Sequence, residues 1–247
     1  MAEKEESVVI LKIDNYLQKE YAAIVKALTK KGLLILYSPG IFKANSKNRQ
    51  NLQIGSIVNL EYFKSKSVDK MSKLKKAVLQ IQPNYSDKAT LLFVSKMCDF
   101  LENFKQNSSE VFEAYKKILE YYDSYYVKLT KNINIDSYTF YNYAKTYLVS
   151  KFLKYNGIHP QIERCINCKS PSNLCDFSFK QGGYTCGSCT MNQKWTKELK
   201  SIYYLFKNFE TFCQIVTPEI NNKIYNNIIN HLIYNGIFIN WEIIKKV

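Results

Sequence analysis

Seven cysteines stand in the chain, and five of them fall between residues 165 and 189. Four form two CxxC pairs, Cys165-Ile166-Asn167-Cys168 and Cys186-Gly187-Ser188-Cys189, separated by seventeen residues. Two such pairs at that separation have the spacing of a tetrahedral four-thiolate zinc site. Each pair makes a tight knuckle, and the intervening loop is long enough to bring one knuckle opposite the other. Gly182, Gly183 and Gly187 give the backbone room near the second knuckle. Four protein ligands leave no open coordination position, so the expected ion is a single structural Zn2+ rather than a catalytic one. Cys175 lies between the pairs and is read either as a spare core thiol or as an alternative ligand. His159 precedes Pro160 and reads as a turn residue. Lys169 and Thr190 occupy the positions where haem attachment needs histidine. Cys98 and Cys213 sit alone in helical patterns and read as buried small hydrophobes.

The rest of the chain supplies little for bond-making chemistry. Two histidines offer a poor basis for activating a nucleophile. Asp14, Glu20, Glu61 and Asp69 are scattered and form no recognisable pair for a metal-dependent nuclease. No GxxxxGK[ST] motif occurs, which excludes a P-loop ATPase at the level of motif. The expectation is a protein that is not an enzyme.

Charge points elsewhere. The 247 residues carry 35 Lys and Arg against 21 Asp and Glu, a formal net charge of +14. A polyanionic partner, most simply nucleic acid, fits that balance. Only two of the cations are arginines, Arg49 and Arg164, in a chain rich in Lys, Asn, Ile and Tyr. An AT-rich genome imposes the same bias passively, so the distribution of charge carries more weight than its sum. Between Lys43 and Lys76 there are nine Lys or Arg and two acidic residues, Glu61 and Asp69. Tyr37, Phe42, Tyr62 and Phe63 are interleaved with them. Cations that track phosphates and rings that stack on bases are the composition of a single-strand-binding face. By loop position the chosen contacts are Lys43, Lys47, Arg49, Lys64 and Lys66, with Lys70, Lys73, Lys75 and Lys76 as weaker choices.

These residues must be held by some framework. Residues 8–13, 33–37, 54–63 and 77–81 read as strands, and 20–28 as strand or short helix. Five short strands with long basic loops predict a small closed barrel of the OB type over residues 1–82, with an SH3-like barrel as the alternative. From Ser86 the apolar period becomes helical. Helices are expected over 88–105, from the Asn107-Ser108-Ser109 cap, from Asp136-Ser137 to Gly157, over 193–209, and from Thr217-Pro218 to about Asn235. The tail, 237–247, is expected to add a last strand or short helix. The fold class is therefore α+β, with an N-terminal five-stranded OB-type barrel at 1–82 and an α-helical domain at 83–247. A zinc finger is inserted in that domain at about 160–190. Residues 1–7 are charged and read as no secretory leader, and no run of about eighteen apolar residues suggests a membrane span.

The order of barrel, helices and inserted finger, together with three local motifs, resembles the bacterial RecO family of recombination mediators. The first motif is Leu28-Thr29-Lys30-Lys31-Gly32-Leu33-Leu34, followed by Ser38-Pro39-Gly40-Ile41-Phe42-Lys43-Ala44-Asn45-Ser46. The second is Leu52-Gln53, with Ile54 where the family often has proline. The third runs from Asn156-Gly157-Ile158-His159-Pro160 into the first cysteine pair. It continues through Phe177-Ser178-Phe179-Lys180-Gln181-Gly182-Gly183 into the second pair. The resemblance implies binding of single- and double-stranded DNA and annealing of complementary strands. It also implies action with RecR and single-strand-binding protein so that the recombinase RecA can load. No cofactor beyond zinc is implied, and the setting implied is cytoplasmic, at the nucleoid. An RNA-binding or ribosome-associated protein built of a barrel and a finger is the alternative.

Overall fold

The computed structural model describes residues 2–67, 70–126 and 136–239. The chain divides into two compact units, Met1–Asn134 and Ile135–Val247, and the architecture is α+β.

In the first unit, β1 (Ala2–Asn15), β2 (Ala23–Leu28), β3 (Leu33–Ser38), β4 (Ile57–Lys64) and β5 (Ser72–Ile81) close into a barrel. The order is β1-β2-β3-β5-β4, and β4 pairs back onto β1. Every pairing is antiparallel except β3 with β5. This is a five-stranded Greek-key barrel of the OB type, and closure leaves no long free edge. Alternate residues fill it: Val8 and Ile10, Val25 and Ala27, Leu36, Val58 and Leu60, then Leu74 and Ala77. The ambiguous segment at 20–28 is a strand, because only period-two alternation places Val25 and Ala27 inside.

Two strands run further than apolar pattern predicts. β1 begins at Ala2 rather than Val8, since its charged residues pair along β4 from Lys64 to Asn59. Their side chains find partners too: Glu3 with Lys75, and Glu6 with Lys31 at 3.8 Å. β5 begins at Ser72, inside the segment expected as a basic loop. Its register slips between Glu61 opposite Lys76 and Tyr62 opposite Leu74. The extra residue of this bulge is Lys75. Lys75 and Lys76 are both exposed, and they hold Glu61 at 3.3 and 3.5 Å.

The first two helices, α1 (Lys88–Leu101) and α2 (Ser109–Tyr121), belong to the barrel's unit. The compact units divide at 134/135, and the change from strand to helix falls near the expected 82/83. Direct bonding ties these helices to the barrel. Tyr115 donates its hydroxyl to the Gly55 carbonyl at 2.8 Å, and Ser108 donates to the Thr29 carbonyl at 2.7 Å. The Cys98 thiol points at the Ile10 carbonyl, 3.8 Å away. Gly55 has φ +86, and a Cβ there would stand 2.3 Å from a Val94 methyl. Beyond α2 a π-turn covers Tyr122–Tyr126.

The second unit holds α3 (Ser137–Tyr155), a hairpin of β6 (Leu174–Ser178) and β7 (Gly183–Cys186), then α4 (Thr196–Lys207), α5 (Phe209–Ile215) and α6 (Pro218–Tyr234). α3 opens on Asp136, whose carboxylate accepts the Thr139 amide at 2.8 Å. Its middle is buried on nearly every side, with Phe140 and Tyr147 meeting Phe209 at 6.0 and 4.7 Å between ring centroids. Even Lys145 and Lys151 are buried there, their ammonium groups lying over Tyr225 and Tyr147. The helix expected over 193–209 is instead broken at Asn208, because that side chain accepts the Thr211 amide and starts α5. α6 starts on Thr217 and Pro218 as expected. Of the expected tail element, 237–239 have no regular structure and 240–247 lie outside the described residues.

Candidate metal centre and nucleic-acid interface

The sulfurs of Cys165, Cys168, Cys186 and Cys189 lie within 4.8 Å of one another, and Cys168 and Cys186 approach to 3.5 Å. Sulfurs placed at about 2.3 Å around one tetrahedral ion would stand about 3.8 Å apart. The donor set therefore fits a single metal ion without rearrangement of the fold. Local backbone bonding explains why. In the first knuckle Lys169 donates to the Cys165 carbonyl at 3.0 Å and takes a left-handed φ of +63, which turns the chain away. In the second, Cys189 donates to the Cys186 carbonyl at 2.9 Å. The knuckles are joined by the Ile166 amide, which donates to the Tyr184 carbonyl at 2.8 Å. Gly183 (φ +148) pairs with Gln161, and a Cβ on it would fall 2.2 Å from the Gln161 oxygen. Tyr184 then ties the hairpin to α4 by donating its hydroxyl to the Leu199 carbonyl.

Electrostatics fit the same assignment. The Cys165 thiol is pushed down to about 6, first by the Cys168 backbone amide that donates to its sulfur, with the Cys186 and Asn167 amides adding. Cys189 moves the other way, up to about 12, because it shares its proton with the Cys168 and Cys186 sulfurs. Four sulfurs this close cannot all ionise unless positive charge stands among them. A dication held by the four sulfurs would supply that charge and would hold the two knuckles together.

Cys175 lies outside the group of four. It is half-buried, and its thiol points at the Asn192 carbonyl at 3.7 Å. His159 sits edge-on to Phe206 at 4.9 Å between ring centroids. Cys98 and Cys213 are both buried. Burial pushes the Cys98 thiol up to about 12 and the Cys213 thiol well above its ordinary range, as expected of core residues.

On the barrel, Lys43, Lys47 and Arg49 lie in the β3–β4 connection, Lys64 ends β4, and Lys66 lies in the β4–β5 loop. All five are exposed. Among the described residues none of them is in an ion pair, in contrast to Lys75 and Lys76. Asn48 fixes the connection to the barrel. β3 pairs with β5 only at Ser72 and Lys73, and beyond them the Asn48 side chain takes over. It donates to the Lys75 carbonyl at 3.3 Å and accepts the Ala77 amide at 3.0 Å. Lys47 and Arg49 thus flank a residue clipped to β5. Both cationic loops border one stretch of β5.

The interleaved aromatics divide. Tyr62 is buried, and burial followed by the Glu6 charge pushes its hydroxyl up to about 12. Phe42 packs partly buried against the barrel core. Tyr37 and Phe63 alternate with the buried Leu36 and Tyr62 and are half-buried on the outer face. The β1–β2 loop, residues 16–22, adds rings and charge that no sequence motif marks. There Tyr16 meets Tyr37 edge-on at 5.4 Å between ring centroids, and Lys19 places its ammonium 5.6 Å from the Tyr37 centroid. Only strand pairing brings residue 16 to residue 37. The one local signal was two tyrosines and a lysine in a loop ahead of an apolar segment.

An OB-type barrel in one unit and a helical bundle carrying a four-thiolate centre in the other define a barrel-and-finger protein. Residues 143–220 match the family model described as "Recombination protein O C terminal". The chain is 25% identical over 211 residues to the "DNA repair protein RecO" of Mesoplasma florum, covering 83% of this chain and 74% of that protein. It is 24% identical over 186 residues to the "DNA repair protein RecO" of Lactobacillus acidophilus, covering 74% and 69%. Over these stretches the chain is similar to proteins of the RecO family.

Proposed function

We propose that this chain is a DNA repair and homologous recombination mediator. It binds single- and double-stranded DNA, anneals complementary strands, and helps load recombinase onto single strands coated by single-strand-binding protein. The observation that carries the reading is the barrel surface. Exposed cations with no ion pair among the described residues border β5 of an OB-type barrel, in a chain similar to two proteins named for DNA repair. Annealing needs no bond chemistry. Two strands repel through their phosphates, and Lys43, Lys47, Arg49, Lys64 and Lys66 would screen that repulsion while leaving bases accessible. The protein acts in this reading as a binding factor, not an enzyme. Its partners are RecR and single-strand-binding protein, with a functional link to RecA, and its setting is the cytoplasm at the nucleoid. Among the described residues no helix is long and apolar enough to cross a membrane.

The metal in this reading is one structural Zn2+ held by Cys165, Cys168, Cys186 and Cys189. Four thiolates at this spacing are its preferred set.

The test mixes the protein with complementary oligonucleotides and follows duplex formation with and without magnesium across salt. Rapid, salt-sensitive annealing with intact strands is expected. Strand cleavage on adding magnesium would overturn the reading. Preference for structured RNA over DNA in competition would favour an RNA-binding role instead.

A further inference from the structure

The barrel pairings align three side chains that sequence distance keeps apart. Tyr37 on β3 stands opposite Lys73 on β5, and Lys73 stands opposite Phe63 on β4. Directly paired residues project from the same face of a sheet. The buried neighbours Leu36, Leu74 and Tyr62 point inward, so these three point outward. The result is a row of ring, ammonium and ring across three strands. Lys73 is exposed and, among the described residues, enters no ion pair. Tyr16 and Lys19 extend the row past Tyr37.

A second, independent observation lies in the same loop. Tyr21 has φ +61, a left-handed conformation that is uncommon for a bulky residue. It is 46% exposed, and its hydroxyl is held by the Glu20 side chain. Its carbonyl accepts the Phe42 amide at 3.1 Å, which fixes it to the start of the β3–β4 connection. Residues held in such sparsely populated backbone conformations collect at binding sites.

We propose that Tyr37, Lys73 and Phe63, extended by Tyr21, form the surface that selects unpaired bases and so separates single strands from duplex. The inference rests on the DNA-binding reading above. Its physical basis is access. Phosphates are equally available on one strand or two, so the cations at Lys43, Lys47 and Arg49 have little means of telling them apart. The π-face of a base is free only when the base is unstacked, and exposed rings take it without regard to sequence. Lys73, between two rings, is placed to meet the phosphate that links two stacked bases.

The test measures binding of a labelled single strand and of a duplex of equal length, at one salt concentration, by fluorescence anisotropy. Tyr37→Leu with Phe63→Leu keeps apolar volume and removes both rings. Single-strand affinity should fall about 25-fold or more, taking each ring at about fivefold or more, while duplex affinity stays within about twofold. Tyr37→Phe with Phe63→Tyr keeps both rings and should stay within about twofold of the parent on both ligands. Tyr21→Gly guards against misfolding, since glycine suits the left-handed backbone. It should lose about fivefold on the single strand, with an undiminished melting temperature. Equal losses on both ligands, or no single-strand loss in folded variants, would overturn the inference and leave the DNA-binding reading standing. Failure of the parent protein to bind either ligand would overturn that reading too.

Discussion

Replacing Lys43, Lys47 and Arg49 together by alanine should flatten the salt dependence of DNA binding by a calculable amount. All three are exposed and, among the described residues, unpaired, so each is available to displace one counterion from a phosphate. For single strands the slope of log K against log salt is about −0.7 per phosphate neutralised, and for duplex about −0.9. Three lost contacts therefore reduce the slope by about 2 and about 3 respectively. Between 50 and 200 mM salt the parent should lose about 20-fold more single-strand affinity than the variant, and about 40-fold more duplex affinity. Lys75 and Lys76 provide the contrast, because they are already held by Glu61 and Glu3. Their replacement should change the slope by less than half as much per residue. Anisotropy titrations at four or more salt concentrations make the measurement, with circular dichroism to verify the fold. An unchanged slope in a folded triple variant would refute the assignment of these loop cations to phosphate.

Other consequences concern the metal centre and the framework. Cys165→Ser should lower metal content well below the roughly one ion per chain expected of the parent, and lower the melting temperature. DNA binding in the folded protein should persist; measured metal at parental level would contradict the four-sulfur assignment. Gly183→Ala should have the same effect on metal without touching a cysteine, since its Cβ would stand 2.2 Å from the Gln161 oxygen. Full metal occupancy in that variant would show that the Gln161 bridge does not position the knuckles. Asp136→Ala removes the cap of α3 and should cost about 1 kcal/mol, read by denaturant unfolding. Tyr115→Phe should cost about 1 kcal/mol or more, because the Gly55 carbonyl loses the hydroxyl at 2.8 Å.

Local sequence made some features legible and left others hidden. The cluster of four cysteines was visible because a knuckle is a short-range structure: CxxC fixes two sulfurs whatever surrounds them. Apolar, β-branched runs at 8–13 and 33–37 gave strands directly, whereas 20–28, with Val25 and Ala27, stayed open between strand and short helix. The starts of β1 and β5 were not visible, because Glu3 to Glu6 and Lys73 to Lys76 read as solvated charge. They become strand only when each backbone finds its partner across the barrel. The break at Asn208 was hidden by an apolar period that continues through it, while a single side-chain bond to Thr211 decides the matter. The row of Tyr37, Lys73 and Phe63 was the least legible of all. A shift of one residue in the β4–β5 register would send Phe63 inward, and no local pattern locates the bulge at Lys75 that sets that register.

That bulge also connects structure to the proposed activity. Were β5 to alternate without the bulge, Lys76 would follow Leu74 inward, where a lysine in the barrel core carries a large desolvation cost. With it, Lys75 and Lys76 both emerge and are held by Glu61. Lys73 lies beyond that carboxylate's recorded ion pairs and remains available between the two rings. Glu61 and Glu3 thus divide three lysines of one strand into two held in ion pairs and one, Lys73, that the proposal assigns to a ligand. Glu61→Gln should accordingly release Lys76, while Glu3 keeps Lys75, and so steepen the salt slope, although it adds no cation. An unchanged slope would mean that the surface takes its binding charge from the loops alone.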